Sequence, residues 1–480
     1  MNPPTGYNPY ALDSSGITAP PTSLFSALRK IGPGIILAGS IVGTGELLLT
    51  TSLGAEYGFA FLWLILFSCI VKVCVQIELG RYALSSGEPT LAALDKLPGL
   101  RLGAHWLVWW WFIMLMFTVS QLGAMCGGVG QALHLAFPRV TEALAGGIES
   151  VSPLLADELR LRPEHPWAAL TAVVAVLLLL SGGYKRIEHV TTFLVVSVTM
   201  ITVTCVALLP SMGYPIGLGD IQEGFSLRVF TLSSSAIAAA FGAFGITGVG
   251  ASELYAYPYW CLEKGYARFA GPRNDSPEWA ARAKGWMRVM YLDAWVSMVV
   301  FTVATVAFYM LGAVVLHRQD PPLVPAKDKM IATLSEMYVP AFGPWTQVAF
   351  LIGAWAVLFK TLYVASASNS RLTADFLGLS KIVHYTSAEQ RTKWIRRCCV
   401  IYPLLGLVWY LCLRDPRAMT ILGGFVQAAT LPIISGAAIF LRYRRLDQRL
   451  APSRTSDFFL WLAFLSITAV ALFAIWQQMP

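Results

Sequence analysis

Gly43-Thr44-Gly45-Glu46-Leu47 and Gly250-Ala251-Ser252-Glu253-Leu254 decide how this chain is read. Each is a run of small residues ending in a carboxylate, and each interrupts a long apolar segment. Small residues weaken a helix, and a carboxylate at bilayer depth is costly. Interrupted helices at matching places in two halves of a chain point to the substrate site of a secondary transporter.

Apolar segments long enough to span a bilayer recur at about 33–53, 58–84, 105–137, 166–183, 188–210, 233–260, 290–317, 345–376, 397–413, 420–444 and 457–477. They predict an all-α membrane protein with eleven transmembrane helices, of which the third and eighth are long enough to tilt or to reach beyond the bilayer. The turn Ser181-Gly182-Gly183 separates the fourth from the fifth. The repeated pattern falls on helices one and six, so the chain divides as five plus five plus one. An odd number of helices per half gives the halves opposite topology, an inverted repeat over about 33–210 and 233–444. The transporter core is expected at 29–445 and the extra C-terminal helix within 446–480. Residues 1–28, polar and rich in proline, are expected to form a disordered cytoplasmic tail. No cleavable signal peptide is expected, and the first helix would act as its own insertion signal.

Composition agrees. The chain is 56% hydrophobic and 13% charged, with a mean hydropathy of +0.61, where a soluble domain carries about 25% charged residues. The net charge of +8 does not make a nucleic-acid binder, because the cations sit in short loops and form no basic face interleaved with aromatics. With a cytoplasmic N-terminus, 24 of the 35 Lys and Arg fall on the inner side and nine on the outer, leaving Lys72 and Lys360 within the membrane. That bias places the N-terminus inside and the C-terminus outside.

Other chemistries find little support. Nearly all of the eight cysteines lie in or beside apolar segments, without a CxxC pair, which reads as packing. The six histidines, among them His105 and His317, sit near segment ends, and none forms a metal-ligand pair on one helix. Gly43-Thr44-Gly45 follows no strand, and neither a phosphate-binding loop nor a nucleophile elbow is present, so no enzyme and no cofactor are expected.

Several motifs together resemble the natural resistance-associated macrophage protein (NRAMP) family of divalent-metal transporters. Gly32-Pro33-Gly34 followed by Gly43-Thr44-Gly45-Glu46 is similar to its first helix. Gln76, Arg81 and Gly87 resemble the end of its second helix. Gly183-Tyr184-Lys185-Arg186-Ile187-Glu188 resembles the start of its fifth, and Leu431-Pro432 a pair in its tenth. The resemblance runs from about residue 30 to 435 and implies a LeuT-like (APC) five-plus-five architecture with helices one and six broken. It is weaker at the metal site. The family's helix-one Asp and Asn fall on Gly43 and Glu46, its helix-six Met on Gly250 and its helix-six His on Ser252. The third-helix Asp of many members is missing, with Ser120 and Gln121 nearby. The chain reads as a divergent branch without the usual proton-coupling residues.

Loss of sulfur and gain of carboxylates favours a hard cation. Glu46 and Glu253 are the expected metal ligands. Gly43, Thr44, Thr247, Gly250, Ser252 and freed carbonyls would complete an oxygen shell around Mg2+, Mn2+ or Ca2+. Each Glu could instead cap a half-helix N-terminus. Lys360, mid-way along the eighth helix, needs a partner. It is expected either to pair with Glu46 or Glu253 and stand in for a bound cation, as the sodium between helices one and eight does in other families of this architecture, or to reach a water-filled vestibule. Lys72, Glu78 and Arg81 on the second helix are expected to serve a gate, and Asp293 and Glu188 to complement the dipoles at the starts of helices seven and five. The expected protein is thus a monomeric secondary transporter of a small inorganic cation, held in a lipid bilayer, with proton coupling left open. The alternatives are a same-fold transporter of an organic solute such as an amino acid, and a membrane sensor, which would carry a long soluble output domain.

Overall fold

The computed structural model describes residues 10–477 except 13, 183, 227–232, 325–329 and 336–344. The first nine residues of the tail, the turn glycine Gly183 and the outer-loop cations Arg228, Lys327 and Lys329 lie outside the described residues.

The apolar segments are helices. In chain order they are α1 (Pro33–Tyr57), α2 (Leu62–Ser86), α3 (Trp106–Ala136), α4 (His165–Ser181) and α5 (Tyr184–Leu208). The two pieces of α6 follow, α6a (Ser234–Ile246) and α6b (Ala251–Lys264). The remainder are α7 (Pro277–Leu311), α8 (Trp345–Leu379), α9 (Ala388–Leu413), α10 (Pro416–Arg444) and α11 (Arg454–Gln477). Among the described residues ten helices are long and apolar enough to cross a membrane, and α4, with 17 residues, is a shorter apolar one.

Their ends carry ordinary stop and start chemistry. Ser276, Ser387 and Asp415 cap α7, α9 and α10 through their side-chain oxygens, and Pro277 and Pro416 occupy first-turn positions that need no N–H. Gly87 closes α2 and Gly265 closes α6b in the left-handed conformation. α7 begins well before the expected 290 and α9 before 397. Apolarity marks where a helix meets lipid, not where it ends, so capped polar turns escape a hydropathy reading.

The bundle centres on α1 and α3. α1 packs against α5, α6b, α7 and α8, and α3 against α8, α9 and α10. Short elements fill the loops, including helices Pro138–Glu149 and Pro153–Leu161 and a two-residue antiparallel pairing of Arg101–Leu102 with Ala104–His105. The described part of the tail, residues 10–28 except 13, carries a single turn at Ser14–Gly16 and a helix at Leu24–Leu28. They are held because folded partners take their polar groups. Trp286 donates its indole N–H to the Thr18 carbonyl at 2.9 Å, and the Tyr10 hydroxyl donates to Asp375 at 2.7 Å.

Candidate functional site

Both small-residue runs break their helices. α1 leaves the helical path at Val42 and Gly43 and resumes as a wider π-helical stretch, Gly45–Thr50. There the Thr50 and Thr51 hydroxyls donate to the carbonyls five residues back, at 2.9 and 3.1 Å. π-Helical turns recur at functional sites. α6 is interrupted over Thr247–Val249, where Thr247 is extended and Gly248 has φ +68°. Glycine is required twice here. A Cβ on Gly248 would lie 2.8 Å from the Cys69 Cα, and one on Gly43 2.3 Å from the Thr361 hydroxyl oxygen.

A break exposes main-chain carbonyls that point along the dipole's negative end. Two buried ammonium groups meet them. Lys72 on α2 donates to the Thr247 carbonyl at 2.7 Å and to that of Phe244, and its charge lies 4.7 Å from the Phe244 ring centroid. Ser68, one turn earlier, donates to the same two carbonyls. Lys360 on α8 donates to the Gly39 carbonyl at 2.9 Å and to that of Val42, with the Thr361 hydroxyl also on Gly39. Among the described residues no ion pair joins Lys360 to Glu46 or Glu253, so its expected carboxylate partner is replaced by the end of a half-helix.

The two carboxylates occupy equivalent places and do different things. Each is the third residue after the glycine that opens a half-helix. Glu46 folds back to accept the Gly43 N–H at 3.1 Å, the return arm of a capping box. Its other oxygen accepts the Thr305 hydroxyl of α7 at 3.3 Å. It is fully buried and does not line the central cavity. Glu253 reaches across to accept the Ser40 hydroxyl of α1 at 2.8 Å and does line that cavity.

The cavity lies between the breaks and measures about 50 Å³, room for an ion and about three waters. Thr44 and Ser252 line it as expected, whereas Gly43, Thr247 and Gly250 stand behind it. Lining residues that were not anticipated as ligands include Ser40 of α1, Gln121 and Met125 of α3, Thr361 and Asn369 of α8 and Gln427 of α10. Gln427 accepts the Ser252 N–H at 3.0 Å and donates to Gln121 at 3.0 Å, so an amide bridge ties α6b to α3. Each of these residues is polar or sulfur-bearing within an apolar segment, which is the signal that singles it out. Among the described residues no cluster of three or more His, Cys, Asp or Glu exists, so neutral oxygens would have to supply most of a metal's shell.

The remaining candidates stand apart. Glu78 and Arg81 pair at 3.4 Å near the end of α2, with Arg442 of α10 3.9 Å from Glu78. Asp293 lies inside α7, not at its start, and accepts the Gly32 and Gly34 N–H groups at 2.8 and 2.6 Å, capping α1. Glu188, in the second turn of α5, pairs with Lys264 at 2.5 Å.

The family model for natural resistance-associated macrophage protein-like proteins matches residues 34–477. The chain belongs to the NRAMP family. An NRAMP relative, the divalent metal cation transporter MntH of Xanthomonas campestris pv. campestris, is 23% identical over 464 residues, 94% of this chain and 91% of that protein. A crystal structure of the Eremococcus coleocola manganese transporter superposes with a TM-score of 0.66 at 14% identity, covering 97% of this chain and 90% of that one. The structure of MhsT in complex with L-phenylalanine superposes with a TM-score of 0.56 at 16% identity, covering 96% and 100%. These superpositions concern the fold.

Proposed function

We propose that this chain is a secondary transporter that carries a hard divalent cation, Mg2+, Mn2+ or Ca2+, by alternating access through the cavity between the two breaks. The observation that carries the reading is the cavity itself: one carboxylate, Glu253, among hydroxyl and amide oxygens in about 50 Å³. Hard cations take such oxygen shells and keep part of their water. The NRAMP relatives named as divalent metal cation transporters point the same way. Glu253 is the charged ligand, with Ser40, Thr44, Ser252, Gln121 and Gln427 as neutral donors. Glu46 and Lys360 hold the α1 break in shape. The same reading includes eleven spans in a five-plus-five inverted repeat plus α11, an inner N-terminus, an outer C-terminus and a monomer in the bilayer.

Uptake of Mg2+, Mn2+ and Ca2+ into proteoliposomes, with Glu253→Gln beside the unaltered chain, tests it. Uptake of one of these ions that disappears in the variant is expected. Folded protein that moves none of them would overturn the reading. One observation favours a second reading: Lys72 and Lys360 stand beside the breaks that carry Glu253 and Glu46, so the carboxylates are already balanced before cargo arrives. A neutral or zwitterionic organic solute would suit that balance, but only if the cavity widens well beyond its present volume.

A further inference from the structure

Away from the central cavity, a groove of about 570 Å³ opens between α2, α7 and the start of α11. Its polar groups gather at one end. Arg81 near the end of α2, Lys284 and Arg288 one turn apart on α7, and Ser453, Thr455 and Ser456 at the start of α11 line it there. Among the described residues no carboxylate lines it. Arg81 is 1% exposed, and its Nε has no hydrogen-bond partner in the structure. Its charge is only partly met, by Glu78 at 3.4 Å and by the Tyr291 ring at 5.3 Å. Buried behind the groove wall, this incompletely paired guanidinium adds to the positive potential that Lys284 and Arg288 present to an oxyanion.

The other end of the groove is apolar. Ile70 on α2 and Trp295 on α7 line it, while Phe459 on α11, less than one turn beyond Ser456, lies between the two ends; all three are exposed on the bundle's outer surface. From Arg81 to Ile70, and equally from Lys284 to Trp295, the helical rise is roughly 16 Å. That is about half of a ~30 Å hydrocarbon core, the depth of one leaflet. A cationic head end and an apolar tail end, one leaflet apart on a lipid-facing surface, match an anionic phospholipid in both charge and length.

We infer that the groove between α2, α7 and α11 is a binding site for an anionic phospholipid, with the phosphate on Arg81, Lys284 and Arg288 and an acyl chain along Ile70, Trp295 and Phe459. The site is separate from the cation pathway. Its occupant bridges α11 to α7, an element of the core that caps and packs against α1.

The test uses the full chain in nanodiscs of phosphatidylcholine containing a minor fraction of phosphatidylglycerol. Native mass spectrometry should show phosphatidylglycerol retained in preference to phosphatidylcholine, and Lys284→Gln/Arg288→Gln should cut that preference on the order of tenfold. An independent readout needs no charge variant. Brominated phosphatidylglycerol should quench a fluorescence component that is missing in Trp295→Phe, and brominated phosphatidylcholine at the same fraction should not. Equal retention or equal quenching by the two lipids overturns the proposal. Displacement of phosphatidylglycerol by sn-glycerol 1-phosphate, which has the headgroup phosphate without chains, would show a site for a free phosphate ester and also overturns it.

Discussion

Lys72 and Lys360 serve the two broken helices in the same way. Each ammonium rests on two main-chain carbonyls at the C-terminal end of a half-helix, Phe244 and Thr247 for one, Gly39 and Val42 for the other. A half-helix end buried away from water needs its carbonyls met and its dipole complemented, and a tethered cation does both. Lys360→Ala should therefore leave the Val42 carbonyl without this donor and the Gly39 carbonyl with the Thr361 hydroxyl alone, at about 1–3 kcal/mol, and lower the melting temperature of the purified protein. The vacated position is lined by carbonyl oxygens, so high sodium should restore part of the loss, while bulky organic cations should not. A Lys360→Met protein with unchanged melting temperature and transport would rule this role out.

The unequal positions of the two glutamates predict unequal variants. Glu253→Gln removes the charge that lines the cavity and should abolish cation binding measured by titration calorimetry, with little change in stability. Glu46→Gln keeps an amide oxygen for the Gly43 N–H, and its NH2 can donate to the Thr305 hydroxyl, which rotates to accept. It should therefore cost no more than ~1 kcal/mol of stability and weaken cation binding far less than the other substitution. Equal loss of binding in both would place Glu46 among the ligands after all.

Much of this was legible beforehand and some of it was not, for physical reasons. The breaks at Gly43 and Gly250 could be read because small residues and a buried acid contradict a spanning helix. The starts of α7 and α9 could not, because hydropathy senses lipid contact and passes over capped polar turns. Lys360 stood out as a buried charge, yet its partner was invisible in sequence, since main-chain carbonyls freed by a break carry no residue signature. Gln121 and Gln427 sit far apart in the chain and meet only when α3 and α10 pack, so their amide bridge is a property of the fold.

Asp293 ties α7 to the start of α1 by taking two N–H groups that no helical carbonyl can reach. Asp293→Asn keeps one acceptor oxygen and should cost about 1 kcal/mol, while Asp293→Ala should cost about 2 kcal/mol. Thermal unfolding followed by helical circular dichroism would rank them, and equal costs for the two variants would mean that the carboxylate's charge, not its capping, is what matters.

Gly248 combines φ +68° with a Cys69 Cα that would stand 2.8 Å from an added Cβ. Gly248→Ala must either move α2 away from the α6 break or force the backbone from its conformation, a cost on the order of 1–3 kcal/mol. Because α2 carries Lys72 at that break, the variant should also lose transport beyond what its stability loss explains. Rescue by the smaller change Cys69→Ala would not be expected, since the obstructing atom is main chain.

The loop between α10 and α11 provides an acid-sensitive clasp outside the spanning segments. Asp447 accepts the Arg449 side chain at 2.8 Å and the Arg449 N–H at 2.9 Å, and pairs with Arg273 at 2.9 Å. The hydrogen bonds from Arg449, with the Arg273 charge behind them, hold its carboxyl down at about 2. The unfolded chain would titrate the same group near ~3.9. A carboxyl whose folded value is the lower one contributes stability above the unfolded value and loses it as pH falls toward the folded one. The clasp should be intact at pH 5 and above and released progressively from about pH 4 down to about pH 2. Arg449 also donates to the Asn274 carbonyl at 2.7 Å, so release would free the chain before α11 from the turn before α7. Hydrogen exchange of residues 445–453 should rise over that pH window in the unaltered protein, after correction for the intrinsic rate, and should be high and flat in Asp447→Asn. Exchange that is flat in both proteins would show that the pairing contributes nothing to holding the loop.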